Sequence, residues 1–199
     1  TDLFHLYPTD GYVNGMRGNL PFGEVKSVTK QSAQGFSKVG PCGVSGYSGT
    51  VFEPADEYKG DFARTYFYMA TAYEDKISSW SSPMLAGNKY PAYANWALTM
   101  MLRWAEEDPV SDKEIARNNA VYDLQNNRNP YIDYPGLEQY VWGTKTDVVF
   151  DPDNYTPGGN GGSETIEVAA PTFSPQPGLV AKGTEVTVAC ATEGALVHY

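Results

Sequence analysis

The chain is poor in the residues that announce common chemistries. Its 199 residues hold two cysteines, Cys42 and Cys190, far apart in sequence. That spacing suggests neither a disulfide framework nor a zinc site. There are two histidines, His5 and His198, so a search for a His general base has few places to go. Basic residues are outnumbered, 14 against 24 acidic, for a net charge of −10. This argues against a broad electrostatic grip on a polyanion, while leaving room for a metal ion and a few local arginines. No apolar run reaches the length of a membrane span. No GxSxG elbow, Walker loop or dinucleotide-binding fingerprint occurs, so serine-nucleophile and nucleotide-binding readings find no footing.

What is present is aromatic and glycine-rich. Aromatics make up 14%, with 15 tyrosines, and 41% of residues are hydrophobic, enough for a folded domain with a sizeable core. Many tyrosines suit either a surface that meets polar ligands or buried rings with bonded hydroxyls. The segment DPDNYTPGGNGGSETIEVAA marks a boundary, and GGNGG reads as a flexible linker. The expected organisation is therefore a domain over residues 1–150, a linker over 151–170 and a second element over 171–199. The net charge divides evenly between residues 1–150 and 151–199.

Three helices are expected in the first domain. GDFARTYFYMATAYEDKI sets Phe62, Tyr66, Tyr73 and Ile77 on one stripe. PAYANWALTMMLRWAEE repeats the pattern with Tyr93, Trp96, Ala97, Met100 and Trp104. SDKEIARNNAVYDLQNN begins with Ser111 and Glu114 in capping-box spacing. PTDGYVNGMRGN is compatible with a short helix capped by Thr9, although its glycines disfavour it. Residues 35–60 read as a long loop or short strands. EVTVACA alternates apolar and polar residues, and the tail reads as two or three strands of a small β-sandwich, interrupted at the last residue.

The opening stretch, TDLFHLYPTDGYVNGMRGN, is dense in polar chemistry. Asn14 offers an amide oxygen suited to a hard cation, but an Asn beside glycine is also an ordinary turn former. His5 stands among aromatics, as a packed histidine does. Arg17, Arg64, Arg117 and Arg128 are potential phosphate contacts, since guanidinium presents a planar fork. Arg64 is equally readable as a paired or snorkelling residue on a helix. The NNRNPYID run, with Arg128 and Asn129, reads as a helix end and turn or as a polar binding loop.

These blocks resemble the endonuclease I family. DLFHLYPTDGYVNGMRGNLPFGEV, ARTYFYMAT and DPVSDKEIARNNAVYDLQNNRNPYID occur in the family's order, together with the Trp-rich helix before DPVS. The resemblance spans roughly residues 1 to 142. It implies an α+β fold: a helix-rich ββα-metal (His-Me finger) nuclease domain. It further implies a secreted or periplasmic, non-specific phosphodiesterase acting on DNA and often RNA. Mg2+ would sit on the scissile phosphate, with Ca2+ or Mn2+ as alternatives. Asn14 corresponds to the family's metal-binding Asn. Substrate-side candidates are His5, Arg17, Asn19, Arg64, Arg128 and Asn129.

The chain departs from the family in three places. No Glu-His-Ser-Trp-Pro-like motif occurs in the 199 residues, so the general base and one metal ligand are expected upstream of Thr1. The family's paired histidines are Phe4 and His5 here, and its Trp-His is Trp104-Ala105. His5 is accordingly placed as a neighbour that orients or packs. These departures support an alternative: a catalytically inactive secreted surface or binding module on a nuclease-like scaffold. The tail, AAPTFSPQPGLVAKGTEVTVACATEGALVHY, resembles the opening strands of a chitobiase-type C-terminal β-sandwich, which implies glycan or cell-surface contact.

Overall fold

The structure is a computed structural model. It describes residues 2–156, 172–175, 178, 183–189 and 191. The chain divides into two units, residues 1–158 and 159–199.

In the first unit a short 3-10 turn, Leu3–His5, precedes helix α1, Gly11–Arg17. Three short strands follow, β1 (Lys30–Gln31), β2 (Lys38–Pro41) and β3 (Thr50–Glu53). They form an antiparallel sheet with β2 in the centre. Its register pairs Val39 with Phe52 and Gly40 with Val51. Helices α2 (Lys59–Ala72), α3 (Glu74–Ile77), α4 (Asn95–Glu107), α5 (Asp112–Gln125), α6 (Pro130–Asp133) and α7 (Leu137–Val141) complete the unit. The fold is mixed α+β and helix-rich, as expected. Among the described residues no helix is long and apolar enough to cross a membrane.

Helix α2 is the axis of the unit. It packs against α4, α6 and the N-terminal turn, and the single stripe read from sequence describes only part of it. Ala63, Phe67, Tyr68, Met69 and Ala70 are buried together with the polar Asp61, Arg64 and Thr65. A helix enclosed on nearly all sides blurs the one-sided periodicity that marks a surface helix. The expected single helix over residues 60–77 is also two helices, with Tyr73 out of helical geometry between them. The α4 stripe holds for Trp96, Ala97, Met100 and Trp104, all buried; Tyr93, also buried, precedes the helix and bridges to Leu85, because α4 begins only at Asn95.

Two caps show how local chemistry sets the ends. The Ser111 side chain accepts from the Glu114 N–H, and Glu114 reaches back to the Ser111 N–H, the reciprocal capping box. At α1 the expected cap was Thr9; the cap is Asp10, whose carboxylate accepts from the Tyr12 and Val13 N–H groups. A carboxylate satisfies two orphan amides and the positive helix end together, which a threonine one residue earlier cannot reach. Helix α1 ends at Gly18, whose φ of +52° is in the region glycine tolerates best.

A buried ion pair ties α2 to α5. Arg64 donates from Nε and Nη2 to the two Glu114 oxygens at 2.7 and 2.6 Å. Its Nη1 donates to the Asp108 carbonyl at 2.8 Å. Gly60, which donates its N–H to the Asp108 carboxylate, is where this close approach needs no side chain: a methyl there would collide with the Asp108 carbonyl. Asp61 lies in the same cluster, 3.7 Å from both Arg64 and Lys113. Asp61 is buried beside the Glu114 charge and hydrogen-bonded to it, which pushes its pKa up to about 7.

Cys42 is a buried free thiol; Cys190 lies outside the described residues. In the second unit, strands β4 (Thr172–Ser174) and β5 (Thr187–Ala189) pair antiparallel, Phe173 opposite Val188. The alternating EVTVACA run thus contributes one strand. The described residues there build this pair and no second sheet.

The Asp61 cluster sets a pH dependence. Folded Asp61 keeps a proton that the unfolded chain releases near pH 4, so its contribution to stability falls as pH rises from about 4 to 7. Asp61→Asn stays neutral throughout. The difference in Tm between Asp61→Asn and wild type, measured by circular dichroism, is therefore expected to grow in favour of the variant from pH 4.5 to 7.5 and then level off.

Candidate functional site

The N-terminal segment is pinned at both ends before it reaches the site. One Asp2 oxygen accepts from the Phe4 N–H and Gln125 Nε2; the other accepts from the Tyr68 and Tyr73 hydroxyls at 2.6 and 2.9 Å. Arg117 Nη2, on α5, donates to the carbonyls of Leu3, Phe4 and Leu6. The Arg117 guanidinium also lies 4.3 Å from the centre of the Tyr7 ring. Phe4 is wholly buried against Tyr68. The segment is thereby held so that His5 and Tyr7 face a cavity while Phe4 enters the core.

That cavity has a volume of about 280 Å³ and is lined by His5, Tyr7, Asn14, Arg17, Thr65 and Tyr66, with Phe22, Phe52 and Phe62 among its apolar walls. Three of the residues singled out from sequence, His5, Asn14 and Arg17, meet here. Asn14 and Arg17 are one turn apart on α1, so their side chains share a face. The Arg17 guanidinium carbon is 4.5 Å from the Phe22 ring centre, and its Nε is withdrawn from water with no hydrogen-bond partner. Burial raises the Tyr66 pKa, and Arg17, hydrogen-bonded to its hydroxyl, works against that rise. Partial removal from water lowers the His5 pKa; Arg17 lowers it further and Asp2 opposes. The imidazole is therefore biased toward its neutral form.

The other candidates stand elsewhere. Asn19 is exposed beyond the end of α1 and is not part of the cavity lining. Arg64 is 2% exposed and committed to Glu114. Arg128 makes a two-bond pair with Asp133 at 2.8 and 2.7 Å. Asn129 is fully buried: its Oδ1 caps α6 through the Tyr131 N–H, and its Nδ2 donates to the Arg64 carbonyl. The NNRNPYID run is a left-handed helix end at Asn126 followed by this short capped helix.

The sequence departures at Phe4 and Ala105 fall in the core rather than on the cavity. Tyr7, Thr65 and Tyr66 went unrecognised as lining residues. Phe62, Thr65 and Tyr66 follow i, i+3, i+4 spacing on α2, but that pattern equally describes packing. A cation at this site would find the Asn14 amide oxygen, which no protein group engages among the described hydrogen bonds. No cluster of three or more His, Cys, Asp or Glu suited to a metal occurs among the described residues. The donors fit a hard ion that keeps water and substrate oxygens as its other ligands, as Mg2+ does.

Residues 1–136 match the family described as Endonuclease I, and this stretch contains the whole cavity. The chain belongs to the endonuclease I family. It is 36% identical over 154 residues to an extracellular ribonuclease of Bacillus amyloliquefaciens, covering 71% of this chain and 46% of that protein. It is 28% identical over 133 residues to endonuclease-1 of Buchnera aphidicola, covering 66% and 46%. An extracellular deoxyribonuclease of Aeromonas hydrophila is 27% identical over 134 residues, covering 66% and 48%. The chain spans about half the length of the curated relatives it matches.

In this endonuclease I chain, Arg117 positions the segment that carries His5 without itself lining the cavity. Arg117→Ala is expected to speed hydrogen exchange at the His5 and Leu6 amides, which bond to Asp2 and Leu3 carbonyls, by more than at α4 amides. Equal protection of His5 and Leu6 in variant and wild type would remove the positioning role.

Proposed function

We propose that the chain forms the phosphate- and metal-facing part of a secreted, Mg2+-dependent, non-specific endonuclease that hydrolyses DNA and RNA phosphodiesters. The carrying observation is the convergence of His5, Asn14 and an incompletely partnered Arg17 on one cavity. Family membership supports the reaction class, and relatives named as ribonuclease and deoxyribonuclease support both substrates. Relatives named as extracellular or periplasmic support secretion.

Arg17 holds a non-bridging phosphate oxygen with its guanidinium, in a wall dry enough to strengthen that contact. Asn14 supplies an amide oxygen to the cation. When bound, the cation adds positive charge where the phosphate and leaving oxygen gain negative charge. His5 stays neutral at physiological pH and orients substrate or water through its ring nitrogens. It is not assigned as general base, and these 199 residues contain no Glu-His pair. The second unit is assigned an attachment role beside the nuclease; glycan or cell-surface contact is the form its sequence resemblance suggests.

The test uses the secreted full-length protein, with plasmid DNA and RNA as substrates. Arg17→Ala is expected to lower cleavage roughly 10²–10³-fold, as loss of one transition-state donor does. Asn14→Ala is expected to weaken Mn2+ binding, read by electron paramagnetic resonance, along with cleavage. Wild-type cleavage and Mn2+ affinity in both variants would overturn the assignment.

A further inference from the structure

A second cavity opens on the other side of His5. It measures about 190 Å³ and is lined by His5, Tyr66, Met69, Ile77, Trp80, Ser81, Ser82, Met84, Leu85 and Tyr93. His5 and Tyr66 are walls of both cavities. Asn14 and Arg17 line the first cavity, and only the His5 and Tyr66 side chains are common to its wall and to that of this opening. No carboxylate, lysine or arginine lines the opening, and the His5 ring is biased toward its neutral form. Its floor is thioether, aliphatic and aromatic, with the Ser81 and Ser82 side chains at one part of the wall. Trp80 is the one exposed tryptophan among the described residues, at 38%, and its ring is 5.8 Å from that of Tyr73.

We propose that this cavity is a base-accepting subsite: it takes one unpaired nucleobase adjacent to the phosphate held by Arg17, stacked on Trp80. The proposal rests on the endonuclease reading and adds the conformation of the substrate strand. A flat ring with polar edges fits an apolar pocket edged by hydroxyls, and base–aromatic stacking is tolerant of sequence because every base has a π-face. A base paired in a duplex must leave its stack to enter. The subsite therefore favours single-stranded DNA and unpaired RNA over duplex. The net charge of −10 is consistent with this mode, because stacking beside one arginine requires less positive surface than tracking a backbone.

The experiment is fluorescence polarisation of the 199-residue chain at low salt with Ca2+. It compares a fluorescein-labelled oligothymidylate with an abasic oligomer of the same length. Wild type is expected to bind oligothymidylate roughly 5- to 100-fold more tightly than the abasic strand. Trp80→Ala should lose that difference by weakening oligothymidylate binding alone, and Trp80→Phe should retain most of it. Arg17→Ala should weaken both probes alike. If wild type binds both probes equally, or if Trp80→Ala keeps the preference, the base subsite is overturned while the nuclease reading stands. If wild type binds neither probe, the base subsite is overturned, and the nuclease reading is decided by the cleavage assay on the full-length protein. Circular dichroism melts confirm that each variant is folded.

Discussion

The Arg64–Glu114 pair is the contact on which the arrangement of helices depends. Two charge-assisted bonds inside a dry interface fix α5 against α2, and the same guanidinium reaches the Asp108 carbonyl at the turn between α4 and α5. Removing one partner of such a pair leaves an uncompensated buried charge, a loss of about 3–5 kcal/mol. Glu114 also closes the capping box at Ser111. One side chain thus starts a helix and docks it. The proton held by Asp61 follows from burial and from the same crowding, since two carboxylates, Asp61 and Glu114, share Arg64 with Lys113 at the rim.

The docked α5 then presents Arg117 and Gln125 to the N-terminal segment. Arg117 gathers three carbonyls and Gln125 meets Asp2, so residues 2–7 run along a fixed track without belonging to a sheet or a long helix. His5 is set on the cavity by that track, and Asn14 and Arg17 by the capped α1. A chain with an overall acidic balance in this way sets one partly dry arginine, Arg17, on the cavity wall. Charge matters more in such a place than on an open surface, because water screens it less.

Phe4 and Ala105 show why departures from a family pattern need a structure to interpret. In sequence they look like lost functional histidines. In the fold one fills the core beside Tyr68, and the other lends its carbonyl to Arg64. Neither alters the cavity, so neither favours the inactive-module reading. The Trp80 pocket points the other way. Nothing in the residues around it resembles a motif, yet it shares His5 and Tyr66 with the cavity lined by Asn14 and Arg17.

Much of this protein is legible in its residues alone. The α4 stripe, the Ser111–Glu114 box and the shared face of Asn14 and Arg17 on one short helix depend on interactions within a few positions of each other, so their spacing predicts them. The endonuclease I resemblance carries the reaction class for the same reason, since ordered local blocks identify the family. The tertiary structure decided which polar residues face the cavity and which hold the core together. Arg64 and Asn129 are in types and patterns indistinguishable from phosphate ligands, and their partners lie 50 and 65 residues away. The break at Tyr73, the enclosure of α2 and the pocket beside Trp80 likewise arise from contacts between distant segments. Burial and partner choice are properties of the packed chain, and no local pattern encodes them.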